Sequence, residues 1–287
     1  PGQHLMKLGI RAVVVKGQPA DRNKRYGLRV NGETVEVVAA DDYKGMWNYA
    51  LCAKLLENEA KTASVISIGP AGEHMMSGAS VACTDQDKER RPARHAARGG
   101  LGAVMGSKGL KWVLVDPGKS PLRKAAEAKA YTALNKGKSK EYIEGPQMFK
   151  YGTSSVVPVA NMLNTFVYKN RTEGQSPDVA NLDGARIVES FETHGGGMHN
   201  CLTGCIVSCS NIVHDKEGNY KTSALEFETL TVLGASCAME SWEDVADLDR
   251  LCDELGLDTI ETGAAIAVLM DAGEMQCTRQ RVWQLMP

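Results

Sequence analysis

The chain has 287 residues, a net charge of −2 and eight cysteines. This length allows one large domain or two smaller ones, and the balanced charge argues against a nucleic-acid-binding protein. The sequence shows neither a secretory signal nor an apolar run of membrane-spanning length, and its cysteine content is too low for a disulfide scaffold. We therefore expect a cytoplasmic protein, without a membrane partner, whose clustered cysteines bind metal.

The first 117 residues are rich in predicted strands. A β-branched run predicts a strand at Ile10–Gly17, and Asn31-Gly32 predicts a two-residue type I′ turn between alternating strands. Apolar residues at helical spacing predict a helix over 46–61. Two further strands are predicted, at 63–70 and 111–116.

Helices are predicted after Pro117, where the sequence becomes rich in Ala and Lys. Residues 223–239 predict a largely buried helix, and the next helix is capped by Ser241 and stopped by Gly256. We predict an α+β fold with a β-rich domain over 1–117 and an α-helical domain over 118–287. Because neither end has a domain-like start or finish, we expect an internal fragment of a longer protein.

Cysteines recur at one spacing in "HNCLTGCIVSCS", as Cys201, Cys205 and Cys209. In a continuous helix the outer two would lie about 12 Å apart, so a single metal centre requires a bend, and Gly204 is the expected place. Three thiolates on a bent loop are typical of an iron–sulfur cluster, which has four ligands. A Cys₃His zinc site completed by His199 or His214, or three buried cysteines that bind nothing, are the alternatives.

A glycine-rich turn occupies "ARGGLGAVMGSKGLK" (Ala97–Lys111). Its glycines let backbone N–H groups approach a phosphate, and Arg98 and Lys108 supply positive charge. The spacing is neither G-x-G-x-x-G nor a Walker motif, so a nicotinamide or nucleoside triphosphate site matches poorly. A tight loop needed only for packing is the alternative interpretation.

Two carboxylates flank a Gly-Leu turn in "DELGLDT" (Asp253–Thr259), between two predicted helices. Asp258 can cap the following helix, and capping alone would explain it. The functional interpretation is that the turn offers acceptors to the N–H groups of a ligand.

Glu226 and Glu228 stand in the otherwise apolar segment "ALEFET". At this spacing they lie on different faces of a helix, so both cannot be solvated if the helix is buried. A buried carboxylate must be paired or protonated, which makes it a candidate general acid or base. A structural hydrogen bond between helices is an equally good interpretation.

Taken in order, these segments resemble the aldehyde:ferredoxin oxidoreductase family of tungsten- or molybdenum-pterin enzymes. The resemblance runs from about residue 8 to residue 275. Its densest stretches are "IGPAGE", "ARGGLGAVMGSKGLK", "CLTGCIVSCSN", "LEFET" and "LCDELGLDTIETGAA". The resemblance implies a β-rich domain that forms a saddle for two pterins holding one metal, helical domains that cover it, and a [4Fe-4S] cluster beside one pterin.

The resemblance also assigns roles to individual residues. The pterin-binding turn is matched by Arg98, Gly99, Gly100 and Gly102. The first of two D-x-x-G-L-[CD] pterin motifs is matched by Asp253, Leu257 and Asp258. Three of the four cluster ligands are matched by Cys201, Cys205 and Cys209, and Glu228 matches a glutamate near the metal that is proposed as acid or base.

The implied reaction oxidises an aldehyde with water to a carboxylate and passes the electrons through the cluster to ferredoxin or a dedicated electron-transfer subunit. An anaerobic cytoplasm is expected for such a cluster, and homodimers occur in the family. The chain departs from the family at Phe227, where a tyrosine is common, and in the first cysteine gap, which is one residue longer than in the best-known members. The second pterin motif, with the fourth cluster cysteine, is not matched by Cys252 or Cys277, so we expect the chain alone to be inactive.

A different class of protein is the alternative hypothesis. The chain can be a zinc-stabilised binding or assembly protein that derives from such an enzyme and has no redox role. A brown protein would exclude this hypothesis, whereas a colourless protein with one zinc would support it.

Overall fold

The structure is a computed structural model that describes residues 1–58, 62–122, 124–144 and 148–275. Its contacts divide the chain into two compact units. The first unit contains residues 1–138 together with the short segment Asp253–Asp258, and the second contains Ser139–Cys252 and the chain from Thr259 onward. The segment 253–258 thus belongs with residues that precede it by more than a hundred positions.

A six-stranded sheet of order β2-β1-β6-β3-β4-β5 forms the centre of the first unit. Strands β1 and β6 are parallel, and all other neighbours are antiparallel. The strands are β1 (Tyr26–Val30), β2 (Val35–Ala39), β3 (Ser64–Ser67), β4 (Val81–Cys83), β5 (Arg94–Ala96) and β6 (Leu110–Val115). The helices are α1 (Gly2–Lys7), α2 (Asn48–Asn58), α3 (Pro70–Glu73) and α4 (Leu101–Ser107).

The hairpin of β1 and β2 confirms the predicted pairing but not the predicted turn. Val30 pairs with Val35, so the loop has four residues rather than two. A type I′ turn needs a positive φ at both central residues, and neither Asn31 nor Gly32 has one. The loop closes instead because Asn31 Oδ1 accepts hydrogen bonds from the N–H groups of Glu33 and Thr34, each at 2.8 Å.

A buried ion cluster lies against this sheet. The fully buried ammonium of Lys111 pairs with Glu73 and donates to the Met46 carbonyl at 2.9 Å. Glu73 also accepts from the Gly45 N–H at 2.9 Å and lies 3.5 Å from Arg25 Nε. Burial lowers the pKa of Lys111, and the adjacent Glu73 carboxylate opposes this shift.

The second unit combines helices with a small antiparallel sheet of order β7-β8-β9. The strands are β7 (Gly196–His199), β8 (Ser210–His214) and β9 (Tyr220–Ser223). The remaining α-helices of the described chain are α5 (Ala128–Ile143), α6 (Met148–Tyr151), α7 (Val157–Met162), α8 (Gly184–His194), α9 (Trp242–Leu255) and α10 (Thr259–Asp271). Helix α5 begins in the first unit and continues into the second.

The α+β class is confirmed, and several predicted elements are present near their predicted positions. The Asp244 N–H lies 3.3 Å from Ser241 Oγ at the start of α9, and Gly256 follows its end with a φ of +75°. The predicted strand at 10–17 is wrong, because this mostly exposed run pairs with no described strand.

The predicted domain boundary after residue 117 stays a prediction. β6 ends close to it, at Val115, whereas the compact units divide later, after Lys138. None of the helices in the described ranges has the length and apolar character that a membrane span requires.

Candidate functional site

The glycine-rich turn connects β5 to α4 in the first unit. Gly99 and Gly100 have left-handed backbone, with φ of +91° and +67°, which glycine adopts without the strain of a side chain. A Cβ at Gly99 would have no heavy atom within 4 Å, so the backbone there faces open space. Arg98, at the start of this turn, is exposed. The turn therefore presents bare backbone beside a guanidinium group.

Gly102 has a different role, which matches the packing interpretation. A Cβ at Gly102 would lie 2.4 Å from the Ser80 carbonyl oxygen, so any side chain would push α4 away from the chain that precedes β4. Gly106, one helical turn later, is tighter still, because a Cβ there would lie 1.9 Å from the Gly72 carbonyl oxygen. The close approach of α3 and α4 thus requires Gly106, whereas Gly102 keeps α4 against the segment before β4.

The acidic turn Asp253–Asp258 is held in place by backbone hydrogen bonds within the first unit. The Ser80 N–H donates to the Gly256 carbonyl at 2.8 Å, and the Asp258 N–H donates to the Gly78 carbonyl at 2.9 Å. Asn48 Nδ2 donates to the Asp253 carbonyl at 2.8 Å. The turn is therefore fixed against the loop before β4 and the start of α2.

The Asp253 carboxylate is buried, with two partners that the sequence did not indicate. Tyr49 Oη donates to Asp253 Oδ2 at 3.2 Å, and His95 Nε2 lies 3.0 Å from Asp253 Oδ1. This second contact is a close approach without the alignment of a hydrogen bond. Ser80 Oγ in turn lies 2.7 Å from His95 Nδ1. The one feature of the sequence that could have pointed to His95 as a site residue is its position three residues before Arg98.

The other two residues of the acidic motif are also buried. Asp258 is 1% exposed and Leu257 is 9% exposed, and Leu257 forms an isolated bridge with Ala79. Asp258 directly precedes α10, as the capping interpretation requires. The structure thus brings Asp253, Leu257 and Asp258 to the same unit as Arg98 and its glycines.

The three predicted cluster cysteines lie in the second unit, on the irregular loop that connects β7 to β8. The expected bend is present, because Gly204 has a φ of +84° and the Cys205 N–H donates to the Leu202 carbonyl at 3.1 Å. All three thiols are free and half-buried. The loop is therefore a cysteine-bearing hairpin connection rather than a helix.

The predicted helix over 223–239 is wrong in its extent and type. Its central part is a π-helix, Thr229–Gly234, which a short 3₁₀ turn follows. Gly263 of α10 permits its packing, since a Cβ there would lie 2.6 Å from the Val232 carbonyl oxygen. Such π-helical turns are rare and frequently occur at functional sites.

The two glutamates before this π-helix differ in exposure. Glu226 is half-buried and accepts a hydrogen bond from the Thr153 hydroxyl, which also accepts from the Phe227 N–H at 3.0 Å. Glu228 is exposed. One of the two carboxylates is thus paired and the other is solvated, so Glu226 alone meets the condition of burial on which the sequence-based candidate for a general acid or base rested.

Comparison with known families matches nearly the whole chain. Residues 1–117 match the N-terminal domain of aldehyde ferredoxin oxidoreductase, and residues 129–285 match its domains 2 and 3. The chain belongs to the aldehyde ferredoxin oxidoreductase family.

Curated members of the aldehyde ferredoxin oxidoreductase family are similar along most of the chain. The tungsten-containing aldehyde ferredoxin oxidoreductase of Pyrococcus furiosus is 29% identical over 286 residues, which cover 95% of this chain and 43% of that protein. The enzyme of the same name from Thermococcus kodakarensis is 26% identical, with 95% and 43% covered. A second Pyrococcus furiosus protein, an aliphatic sulfonate oxidoreductase, WOR-like subunit, is 26% identical, with 91% and 42% covered. The chain spans less than half the length of these relatives.

A solved structure shares the fold. The active-site complex BamBC of benzoyl coenzyme A reductase, in complex with 1,5-dienoyl-CoA, superposes with a TM-score of 0.72 at 20% sequence identity. The match covers 95% of this chain and 42% of that chain. At this identity the likeness extends to the fold alone.

The residues of the first unit fit a pterin, the cofactor that the family implies. Asp253 supplies a buried carboxylate, which accepts hydrogen bonds from N–H donors, and the amino-pyrimidine edge of a pterin carries such donors. Gly99 leaves open the space that a Cβ would fill, and the exposed Arg98 can pair with an anionic group such as phosphate. The chemistry of these groups therefore suits a ligand with N–H donors at one end and an anion at the other.

The cysteine loop fits an iron–sulfur cluster less well. Burial, and after it the neighbouring Glu226, Cys201 and Cys205, raises the pKa of Cys209, so the loop thiols lie within electrostatic reach of one another. Among the described residues, however, no three His, Cys, Asp or Glu side chains converge as metal ligands, and neither His199 nor His214 completes a zinc site there. Cys277 lies outside the described residues. The loop thus carries the ligand types but not a ready-made site.

Proposed function

We propose that the chain is a pterin- and cluster-binding part of an oxidoreductase that converts an aldehyde or a related carbonyl compound to a carboxylate. Membership of the family carries this proposal, and the buried, hydrogen-bonded turn at Asp253–Asp258 supports it. In the overall reaction, an aldehyde and a water become a carboxylate, three protons and two electrons. A tungsten or molybdenum bis-pterin, when bound, supplies the redox change.

In this proposal the first unit binds and orients the pterin. Asp253 and Asp258 accept hydrogen bonds from its N–H groups, and Leu257 covers it with an apolar side chain. Arg98 pairs with its anionic end, Gly99 allows close approach, and Gly100 supplies the left-handed backbone that shapes the turn. Burial favours this role for Asp253, because hydrogen bonds to a carboxylate strengthen where water is excluded. Gly102 contributes only by keeping α4 close.

Glu228 is the proposed general acid or base. It is exposed, so it can exchange protons with water, whereas Glu226 is already paired with Thr153. Aldehydes are the proposed substrates because four curated relatives carry that name, and a related carbonyl compound is included because Phe227 stands where a tyrosine is common.

The cysteine loop is the proposed ligand set for a [4Fe-4S] cluster, with electrons leaving to ferredoxin or a dedicated subunit. Its irregular backbone and three free thiols support this role. Because the thiols do not converge in the described loop, binding requires the loop to close around the cluster and a fourth ligand from elsewhere.

Anaerobic expression with iron and sulfide tests the cluster directly. We expect a brown chain with about four iron and four sulfide per molecule, and a colourless protein after the triple change Cys201→Ser, Cys205→Ser and Cys209→Ser. Cys83→Ser is the matched control, because Cys83 is also a half-buried free thiol but lies outside the loop. Zinc in place of iron would contradict the redox role and support the zinc-stabilised alternative.

A further inference from the structure

Three side chains form a buried line that ends on the Asp253 carboxylate. Ser80 Oγ lies 2.7 Å from His95 Nδ1, and His95 Nε2 lies 3.0 Å from Asp253 Oδ1. Ser80 is fully buried, and the side chains of His95 and Asp253 are 10% and 8% exposed. All three belong to the first unit, although Asp253 is far from the others in sequence.

A serine, a histidine and a carboxylate in line also make up the catalytic triad of hydrolases. That function does not suit this arrangement, because a nucleophilic hydroxyl must reach its substrate and Ser80 has no exposed surface. The Ser80 N–H is also bonded to the Gly256 carbonyl at 2.8 Å, which fixes the residue in the interior. The end of the line that can meet a ligand is therefore Asp253.

The contacts of Asp253 fix the direction of its carboxylate. Tyr49 Oη donates to one oxygen at 3.2 Å and the imidazole of His95 lies beside the other. A carboxylate has about four acceptor positions, so each oxygen keeps one for a ligand after these contacts. Ser80 holds the other ring nitrogen, and the partner of one nitrogen sets which nitrogen of an imidazole carries the proton.

We propose that His95 is a positioning residue that orients Asp253 toward the adjacent N–H donors of a pterin. This inference rests on the proposed function. A carboxylate fixed from behind loses less freedom when a ligand binds, and the bound donors gain their full hydrogen-bond strength. Ser80 supports His95 in the same line.

Binding of free 6-hydroxymethylpterin to the full chain, followed by its fluorescence, tests this role. We expect His95→Leu to weaken binding about tenfold, because a carboxylate that is no longer held in one direction bonds its N–H donors less well. His95→Gln keeps a donor near the Nε2 position and should restore binding to within about threefold. Asp253→Asn should weaken binding at least as much as His95→Leu. The exposed His74 gives the matched control, His74→Leu, which should bind as the wild type does.

The outcomes separate the positioning role from the proposed function. If the wild type binds and Asp253→Asn does not, but His95→Leu binds normally, the role of His95 is overturned and pterin binding stands. A wild type that does not bind would overturn both.

Imidazole ¹H–¹⁵N spectra of the ligand-free chain give a second readout, which loss of folding stability alone would not reproduce. Asp253→Asn should shift the Nε2 signal of His95, and Asp258→Asn should leave it in place. An unchanged His95 signal in Asp253→Asn would show that the contact is absent, which overturns the proposal whatever the pterin result.

Discussion

The two units differ in how far their proposed ligand sites are already ordered without a ligand. In the first unit the Asp253–Asp258 turn is buried and tied by hydrogen bonds to two separate parts of the sequence, residues 48–49 and residues 78–80. In the second unit the three cysteines lie half-buried on an irregular loop, and Glu228 is exposed. The fold alone therefore fixes the proposed pterin contacts, whereas the cysteine loop depends on what it binds.

This difference follows from the chemistry of the ligands. A pterin is recognised by hydrogen bonds, whose strength depends on direction and on exclusion of water, so rigid buried acceptors suit it. Thiolates around an iron–sulfur cluster form strong bonds to iron, and metal binding can itself order the ligands. A loop with glycine at Gly204 allows such closure. Four predictions test whether the first unit is the more rigid one.

The largest effect is expected from Glu73→Gln, which leaves the fully buried Lys111 without its carboxylate. Breaking one side of a buried ion pair costs about 3–5 kcal/mol, and Arg25 loses the same partner. Urea unfolding, with hydrogen exchange measured on peptides of each unit, should show the loss in the first unit. Lys24→Met is the control, because Lys24 and Asp41 form an exposed pair that should contribute nothing measurable. Equal stability of the two variants would contradict the importance of the buried cluster.

The second effect concerns the close contact of α3 and α4. Gly106→Ala places a Cβ 1.9 Å from the Gly72 carbonyl oxygen, and such overpacking should cost about 3 kcal/mol. In Gly137→Ala, by contrast, the new Cβ meets nothing within 4 Å in the exposed helix α5, so stability should rise by about 0.5–1 kcal/mol. The same urea series measures both changes. An unchanged free energy of unfolding in Gly106→Ala would mean that the contact between α3 and α4 is not rigidly packed.

The third prediction compares the stability changes caused by replacing a buried thiol, Cys52, and by replacing the three thiols of the cysteine loop. Burial raises the pKa of Cys52 to about 12, and its Sγ lies 3.7 Å from Ser67 Oγ. Cys52→Ser should cost about 1–3 kcal/mol because a more polar group enters the core. The triple serine variant of the loop should change the metal-free chain by at most about 0.5 kcal/mol. Iodoacetamide at neutral pH should label the loop thiols and leave Cys52 unmodified, and fast labelling of Cys52 would contradict its burial.

Local signals made part of this fold predictable. Helix α9 carries a serine cap, apolar residues at helical spacing and a glycine stop, and these signals act within a few residues of one another. The strand β6 is a short apolar run that needs little context. The same kind of local signal gave a wrong prediction for the β-branched run at 10–17, because a strand also needs a partner strand. In the described chain no strand pairs with this run.

The proposed site was predictable only in part, for a related reason. The motif residues Asp253 and Asp258 could be identified, but Tyr49 and His95 reach Asp253 from more than 150 positions away in sequence, and Ser80 in turn contacts His95. No local pattern specifies such a contact. The strands on either side of the cysteine loop were missed because their glycine-rich and polar sequence is typical of loops.

The smallest effect is the pH dependence contributed by His4 in the first unit. Burial lowers the pKa of His4, although its Nδ1 lies 3.4 Å from the Val115 carbonyl oxygen and this contact opposes the shift. Because the folded pKa lies below the unfolded value of about 6.5, the unfolded chain binds more protons between these two pKa values. Stability should therefore fall as the pH drops below about 6.5 and level off once the pH is below the folded pKa. His4→Gln should flatten that part of the curve, and His74→Gln should not. If the stability of His4→Gln still falls below about pH 6.5, another group causes the pH dependence. Burial of His4 would then not contribute to the stability of the first unit in this pH range.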